Sequence, residues 1–323
     1  MRREILVNAL IALLLLAVPL AATAWGEPFY VTLATRIAIL ALAAVGLNIA
    51  LGLGGLVSFG HAAFFGLGGY VAGILATHAY EATPLILGYE GTTSMPVIWL
   101  VAIAVCGLAA LPIGAVSLRT AGIYFIMITL AFAQMIYYFA ESWPAYGGSD
   151  GLSIYVRNTF PGVNTARPLP YFLICYGILI AALGLFWLLQ GSRFGAALET
   201  ARQNATRLSA VGITPFGIRL TAFVISAMLT GIAGALFADL NKFVSPSMLS
   251  WHMSGELIVL IILGGKGRLF GPVAGASLYV LFEYALGGIT ERWQFFLGLV
   301  LLGVVLFAQG GLLGLLSGRA RHG

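Results

Sequence analysis

Charge is what this sequence has least of: 16 Lys+Arg and 11 Asp+Glu are spread over 323 residues. A soluble domain of that length carries about a quarter charged residues, roughly 80, to solvate its surface. This chain cannot cover itself in that way, which excludes a soluble enzyme and a soluble nucleic-acid binder. Cysteine is almost absent as well. Cys106 and Cys175 each sit inside an apolar run, so they read as small packing residues and support neither a disulfide framework nor a metal site. Catalytic patterns are missing too: there is no HExxH, no Ser/His/Asp order and no carboxylate pair within one window. Gly264-Gly265-Lys266-Gly267 has the look of a phosphate loop but lacks the earlier glycine and the Ser/Thr after Lys. No catalytic residue, no metal and no cofactor are therefore expected on this chain, and any ATP hydrolysis belongs to a partner chain. The formal net charge of +5 comes from dispersed basic residues, not from a patch that would bind nucleic acid.

What the sequence has in excess is apolar length. Hydrophobic residues make up 60% of the chain, and crossing a hydrocarbon core of roughly 30 Å takes about 20 of them in a helix. Apolar windows fall near 5–24, 31–51, 57–77, 97–117, 120–140, 170–190, 218–238, 254–264, 270–288 and 293–310. They are too long and too uniform for barrel strands. The fold class expected is therefore an all-α, polytopic membrane helix bundle of about ten spans with glycine-broken segments, one transmembrane domain over residues 1–323. The first window, with Arg2, Arg3 and the Ala22-Thr-Ala24 outline, resembles a cleavable signal peptide, but its long apolar run reads as an uncleaved span. The eighth, 254–264, is short; it either borrows the polar stretch Ser247–Met253 or is a half-helix.

Orientation follows from the loops. Arg2, Arg3, Arg119, Arg193, Arg202, Arg207, Arg219, Lys266, Arg268, Arg319 and Arg321 fall on one side, against Arg157, Arg167, Lys242 and Arg292 on the other. The Arg-rich side is expected to be cytoplasmic, with both termini there.

Several residues inside or beside spans carry possible chemistry. Gly54-xxxx-Phe59-Gly60-xx-Ala63 is echoed by Gly265-xxxx-Phe270-Gly271-xx-Ala274. Paired glycine-interrupted segments point to a translocation site, although glycines also let helices pack closely. On the first reading Gly54, Phe59, Gly60, Gly265 and Gly271 line or hinge a pathway. His61 either gates or relays protons or, the reading preferred, satisfies a backbone carbonyl freed by the glycine break. Arg36 reads as a snorkelling side chain. Ser254 and Glu256 read as ordinary helix-start chemistry. Glu283, one turn inside its span, either meets a passing ammonium group or pairs with Arg292 or Lys242. Residues 191–217 form the longest Arg-rich loop. Phe194, Ala197, Leu198, Ala201, Leu208 and Val211 recur there at helical spacing, and Gly212 with Pro215 makes a stop and restart. Such a helix must dock on lipid or on a partner protein.

The run Gly52 to Tyr70 (GLGGLVSFGHAAFFGLGGY) resembles the signature of LivM-type permeases of branched-chain amino-acid ABC importers. So, in order, do Leu118 to Gln134 (LRTAGIYFIMITLAFAQ), Tyr146 to Ser153 (YGGSDGLS) and Ala222 to Ala238 (AFVISAMLTGIAGALFA). The resemblance covers nearly the whole chain. It implies a bacterial inner-membrane importer completed by a second related permease, two cytoplasmic ATPases that bind ATP, and a periplasmic binding protein, all working in membrane lipid. It also implies a coupling helix at roughly Gly195 to Gly212, within the 191–217 segment. Phe194, Leu198 and Ala201 are then expected in the ATPase groove, with Arg202 and Arg207 at its rim and the Lys266–Arg268 loop as the next candidate. Gln203 and Ala205 depart from the family, which has Glu or Asp there. Phe59, Phe64, Phe65 and Phe125 are expected to give an apolar lining suited to Leu, Ile or Val. Urea, short amides or another small polar solute remain open as substrates, as does an ion-coupled secondary transporter. Reporter fusions after Ser192 and after Asp150 are expected to report opposite sides of the membrane; the same side for both would overturn this topology.

Overall fold

Prolines start the long helices and small residues pack them. The computed structural model describes residues 2–85, 90–290, 292–307 and 310–317, and each of the ten apolar windows is a helix in it. In order these are α1 (Arg2–Ala24), α2 (Pro28–Asn48), α3 (His61–Glu81), α4 (Met95–Ser117), α5 (Ile123–Glu141) and α6 (Pro168–Gly191). Two short helices follow, α7 (Arg193–Gln203) and α8 (Ala205–Ala210), before α9 (Pro215–Asn241), α10 (Trp251–Gly264), α11 (Gly271–Gly287), α12 (Trp293–Phe307) and α13 (Gly311–Ser317). Proline lies in the first turn of α2, α4, α6 and α9, where its missing N–H costs nothing.

Among the described residues seven helices, α1 to α6 and α9, are long and apolar enough to cross a membrane. The chain is a polytopic helical membrane protein. α10, with 14 residues, rises only about 21 Å. It starts at Trp251, three residues before the expected window, because Ser250 caps it by accepting the His252 N–H. Ser254 is thus not a cap but lies a turn inside.

α2 is apolar on every side, and its membrane-length window is 94% buried, as expected of a helix enclosed by others. Around it sit α9, α6, α10 and α11, with α1 leaning on α2 from outside through Leu15 and Ala22. Glycine decides how closely α3 and α9 approach. A Cβ at Gly234 would lie 1.7 Å from the Phe65 carbonyl oxygen, and one at Gly68 would lie 1.9 Å from that of Gly231. The hairpin of α10 and α11 is as tight, with a Cβ at Gly275 falling 1.8 Å from the Leu260 oxygen. At these crossings the glycines serve close packing.

Alternate loops gather at opposite ends of the bundle. At one end β1 (Leu152–Ser153) pairs antiparallel with β2 (Phe243–Val244), Ser94 bridges Thr159, and His78 Nε2 is 3.0 Å from the Tyr146 hydroxyl. Asp239 there accepts the Asn158 N–H, and Arg157 lies over the Tyr171 ring at 4.7 Å. The other end collects the segments 52–57, 118–126, 193–219 and 265–268. Glu4 near the start of α1 and the Leu313 carbonyl of α13 both meet Arg268 at that end. Arg319, Arg321 and Glu291 lie outside the described residues. Replacing Gly234 by Val is expected to destabilise the fold by about 3 kcal/mol, read as a lowered melting temperature of the purified protein in detergent; an unchanged melting temperature would mean that the helices can part there at little cost.

Candidate translocation and coupling site

The site begins where α2 loses its regular hydrogen bonding. Residues Ile49–Leu53 widen into a π-helical turn, a feature that often marks functional positions, and the chain then runs unwound to Gly60. Asn48, buried at the end of α2, reaches across to the second glycine segment. Its Oδ1 accepts the Gly267 N–H at 3.0 Å and its Nδ2 donates to the Arg268 carbonyl at 3.1 Å. Ser254 of α10 makes the reciprocal contact with the first segment. Its hydroxyl donates to the Phe59 carbonyl at 2.7 Å and accepts the Ala62 N–H at 2.8 Å. The second glycine break is therefore held by a side chain from the end of α2, and the first by one from the start of α10. Gly52 makes room for this, since a Cβ there would lie 2.2 Å from Asn48 Oδ1 and 2.9 Å from the Gly267 Cα.

His61 opens α3 and is fully buried. The carbonyl it was expected to satisfy is reached through an intermediary. Ser226 of α9 donates to the Gly46 carbonyl at 2.6 Å and lies 2.7 Å from His61 Nε2. A hydroxyl has one proton, so Nε2 carries the proton in this bond and Nδ1 is left as an acceptor with no partner among the described residues. α2, α3 and α9 are thus joined by one chain of hydrogen bonds. Phe64 and Phe223 pack edge-on against the imidazole.

Where one amphipathic helix was expected, the 191–217 segment holds two short ones broken at Asn204, with Ser192 capping α7 and Asn204 capping α8. Which face is free differs from expectation. Gly195, Leu198, Ala201 and Leu208 are buried, and Leu198 packs beside Gly54, where a Cβ would lie 3.3 Å from its Cδ1. The stripe assigned to a partner's groove instead docks on this chain, because it is the most apolar face available to the nearby loop. Phe194 is half-buried on the same side. Arg202 also turns inward, donating to the Gly52 carbonyl at 2.8 Å, while Arg219 donates to the Ala201 carbonyl at 2.6 Å. Arg207, Gly212 and the apolar tip Val211, Ile213 and Phe216 are exposed, and the Arg202 side chain keeps 37% exposure despite its inward bond. Lys266 is exposed as well, its ammonium held below the ordinary value by partial burial and then by the nearby Arg202 charge. Arg268 faces inward, 8% exposed, against Leu313 and Glu4.

Two further expectations are corrected. Arg36 does not snorkel, and Glu283 pairs with neither Arg292 nor Lys242; the two meet each other, Arg36 Nη2 donating to Glu283 Oε1 at 2.9 Å. The pair ties α2 to α11, and both side chains are only partly exposed. Phe64 and Phe65 are fully buried among packed helices, Phe125 is buried and lines the cleft at the Arg-rich end, and Phe59 is half-buried. The structure thus brings Gly54 beside Leu198 and Gly52 beside Arg202 and the 267–268 turn, sets Gly265 against Gly271, and places Gly60 apart from that pair, against Thr129 of α5. Glu283 stands apart from them. Asn48 and Ser226 were not singled out from the sequence, and Ser254 was read only as a helix cap. A lone Asn at the end of a long apolar run was the available signal for Asn48.

The family model described as branched-chain amino acid transport system / permease component matches residues 29–305. The chain is 30% identical, over 94% of its length and 74% of the relative's, to the high-affinity branched-chain amino acid transport system permease protein LivM of Escherichia coli (strain K12). It is 29% identical to the protein of the same description from Salmonella typhimurium (strain LT2), over 93% of this chain and 74% of that one. The autoinducer 2 import system permease protein LsrC of Yersinia pseudotuberculosis is 28% identical over 40% of this chain and 39% of its own. No solved structure matches significantly. Asn48→Ala removes both bonds that hold the 265–268 turn and is expected to cost about 2 kcal/mol. Hydrogen exchange at Gly267 should quicken accordingly, and unchanged protection there would show that the turn is held by other contacts.

Proposed function

The chain belongs to the family of branched-chain amino acid transport permease components, transport subunits and not enzymes, and on that premise we propose how it works in an importer. It is the membrane-spanning subunit of an ABC importer in the bacterial inner membrane, moving branched-chain amino acids handed over by a periplasmic binding protein. It pairs with a second related permease, and two cytoplasmic ATPase subunits bind and hydrolyse the ATP. The Arg-rich end is cytoplasmic, both termini lie there, and α10 to α12 complete ten membrane-embedded helices. What carries this reading is the likeness to LivM along 94% of the chain.

Coupling follows from how α7 and α8 are seated. A membrane domain that hydrolyses no ATP receives motion through a rigid lever, and Gly191–Gly217 supplies one. Its buried face is Leu198, Ala201 and Leu208, so the ATPase meets the opposite face. There the apolar tip of Val211, Ile213 and Phe216 is 74%, 40% and 42% exposed, with Arg207 beside it. Buried apolar anchors carry most of an interface's energy while rim charges steer. Movement of α7 passes through Arg202 to the Gly52 carbonyl and so to both glycine segments, where Gly54, Gly60, Gly265 and Gly271 act as hinges.

The test is reconstitution of the chain with a second permease, the ATPases and the binding protein in liposomes. Leucine uptake is expected to require ATP; uptake of urea but not of Leu, Ile or Val would overturn the substrate assignment, and uptake driven by an ion gradient without ATP would overturn the class. Ile213→Asp combined with Phe216→Ala should weaken ATPase copurification at least about tenfold, or about 1.4 kcal/mol, with the melting temperature kept. Leu198→Asp should lower the melting temperature instead, since its side chain is enclosed in this chain. Unchanged ATPase binding in the tip variant would place the coupling contact elsewhere, Lys266 being the next exposed candidate.

A further inference from the structure

An open cleft of about 320 Å³ lies at the Arg-rich end, between the Gly54–Val57 loop, the 118–126 stretch, Arg202 and Arg219. Its charge is one-sided. Arg202 and Arg219 both line it, Lys266 is close enough for its charge to feel Arg202, and the nearest carboxylate oxygen, on Glu199, is 3.9 Å from Arg202 on a half-exposed side chain. Gly55 lets the Arg202 stem lie across the loop, since a Cβ there would fall 2.6 Å from its Cγ. Arg219 is only partly satisfied. Its Nη2 donates to the Ala201 carbonyl, whereas its buried Nε has no partner among the described residues. The 19-residue α5 also begins in this wall, on Gly122, which offers no side-chain cap. The first N–H groups of a helix have no partner within it and favour an anion.

The rim of the cleft is apolar and bare. Val116 of α4 is 48% exposed and Ile123 and Tyr124 of α5 are 73% and 72% exposed. The same exposed faces continue through Leu108 and Leu111 on α4 and Met127 on α5. A soluble anion would gain nothing from these faces, whereas an acyl chain would cover them. We propose that the cleft binds the phosphate group of an anionic phospholipid, with its acyl chains laid along the exposed faces of α4 and α5. Basic pockets between membrane helices hold anionic headgroups in this manner. A lipid seated there touches Arg202, so its presence bears on the position of α7.

The experiment is native mass spectrometry of the delipidated full chain titrated with phosphatidylglycerol or phosphatidylcholine. The chain is expected to retain one phosphatidylglycerol in preference to phosphatidylcholine by at least about fivefold. Arg219→Gln should lose that preference. Thr120→Glu, which places a carboxylate in the cleft without removing an arginine contact, should lose it as well, with the melting temperature unchanged. Arg119→Gln, on an exposed residue outside the cleft lining, should retain it. Equal preference in the wild type and both cleft variants overturns the proposal. Displacement of the lipid by millimolar inorganic phosphate would keep the anion chemistry but overturn the lipid as occupant. Absence of any lipid preference, together with loss of ATPase copurification in Thr120→Glu, would give the cleft to a protein partner and also overturn it.

Discussion

Backbone polar groups in a bilayer have no water to turn to, and this one constraint organises the chain. Wherever a helix stops inside the membrane, its carbonyls and N–H groups need partners from protein. At the two glycine breaks, backbone groups likewise find partners within the protein. Asn48 supplies a donor and an acceptor to the 265–268 turn, and Ser254 supplies both to the 59–62 turn. Ser226 bridges the Gly46 carbonyl to His61, and Arg202 takes the Gly52 carbonyl. Four polar side chains thus meet the backbone at or next to the points where the helices are interrupted. Remove the breaks and those side chains would be buried polar groups without purpose.

The same constraint explains why α7 and α8 turn their best stripe inward. Leu198, Ala201 and Leu208 cover the unwound loop at Gly54–Val57, which would otherwise present backbone at the edge of the bilayer. Docking α7 there brings Arg202 within reach of the Gly52 carbonyl in the π-helical turn, while Arg219 of α9 takes the Ala201 carbonyl. Two directional bonds thus fix α7 to the bundle.

Much of this architecture was legible in composition and period. All ten apolar windows are helices, the division of Lys and Arg among loops matches the division of loops between the two ends, and the 191–217 pattern is helical with its stop at Gly212. The glycine echo was readable as two breaks, though not as two breaks in mutual contact. What escaped was facing. An amphipathic period says that a helix has an apolar side but not whether a partner or its own chain covers it, which is why Leu198 was assigned outward. Intramembrane polar residues were read singly, so Arg36 and Glu283, 247 positions apart, could not be joined, and Ser254 was taken for a cap because it precedes an acid by two residues. Aromatic residues near a glycine break were read as a lining, whereas Phe64, Phe125 and Phe223 form a small core of their own.

The ion pair of Arg36 and Glu283 clarifies how α2 is held. Both side chains are partly exposed, so the Coulomb gain is moderated by solvent or headgroups while part of the desolvation cost persists. A pair of that kind is a weak source of stability and a good source of register, since guanidinium and carboxylate meet in few geometries. It joins α2 to α11 near one end, and Asn48 joins α2 to the turn before α11 near the other. With both ends fixed, α2 cannot slide or rotate against α11 without breaking one of the two, and its glycine-lined contact with α9 at Gly46 leaves no slack on the third side. α2, α9 and α11 therefore move, if they move, as one body. Rearrangement is left to elements with fewer buried residues: α5, whose membrane-length window is only 22% buried, and α7 with α8, which rest on the body through a few side chains.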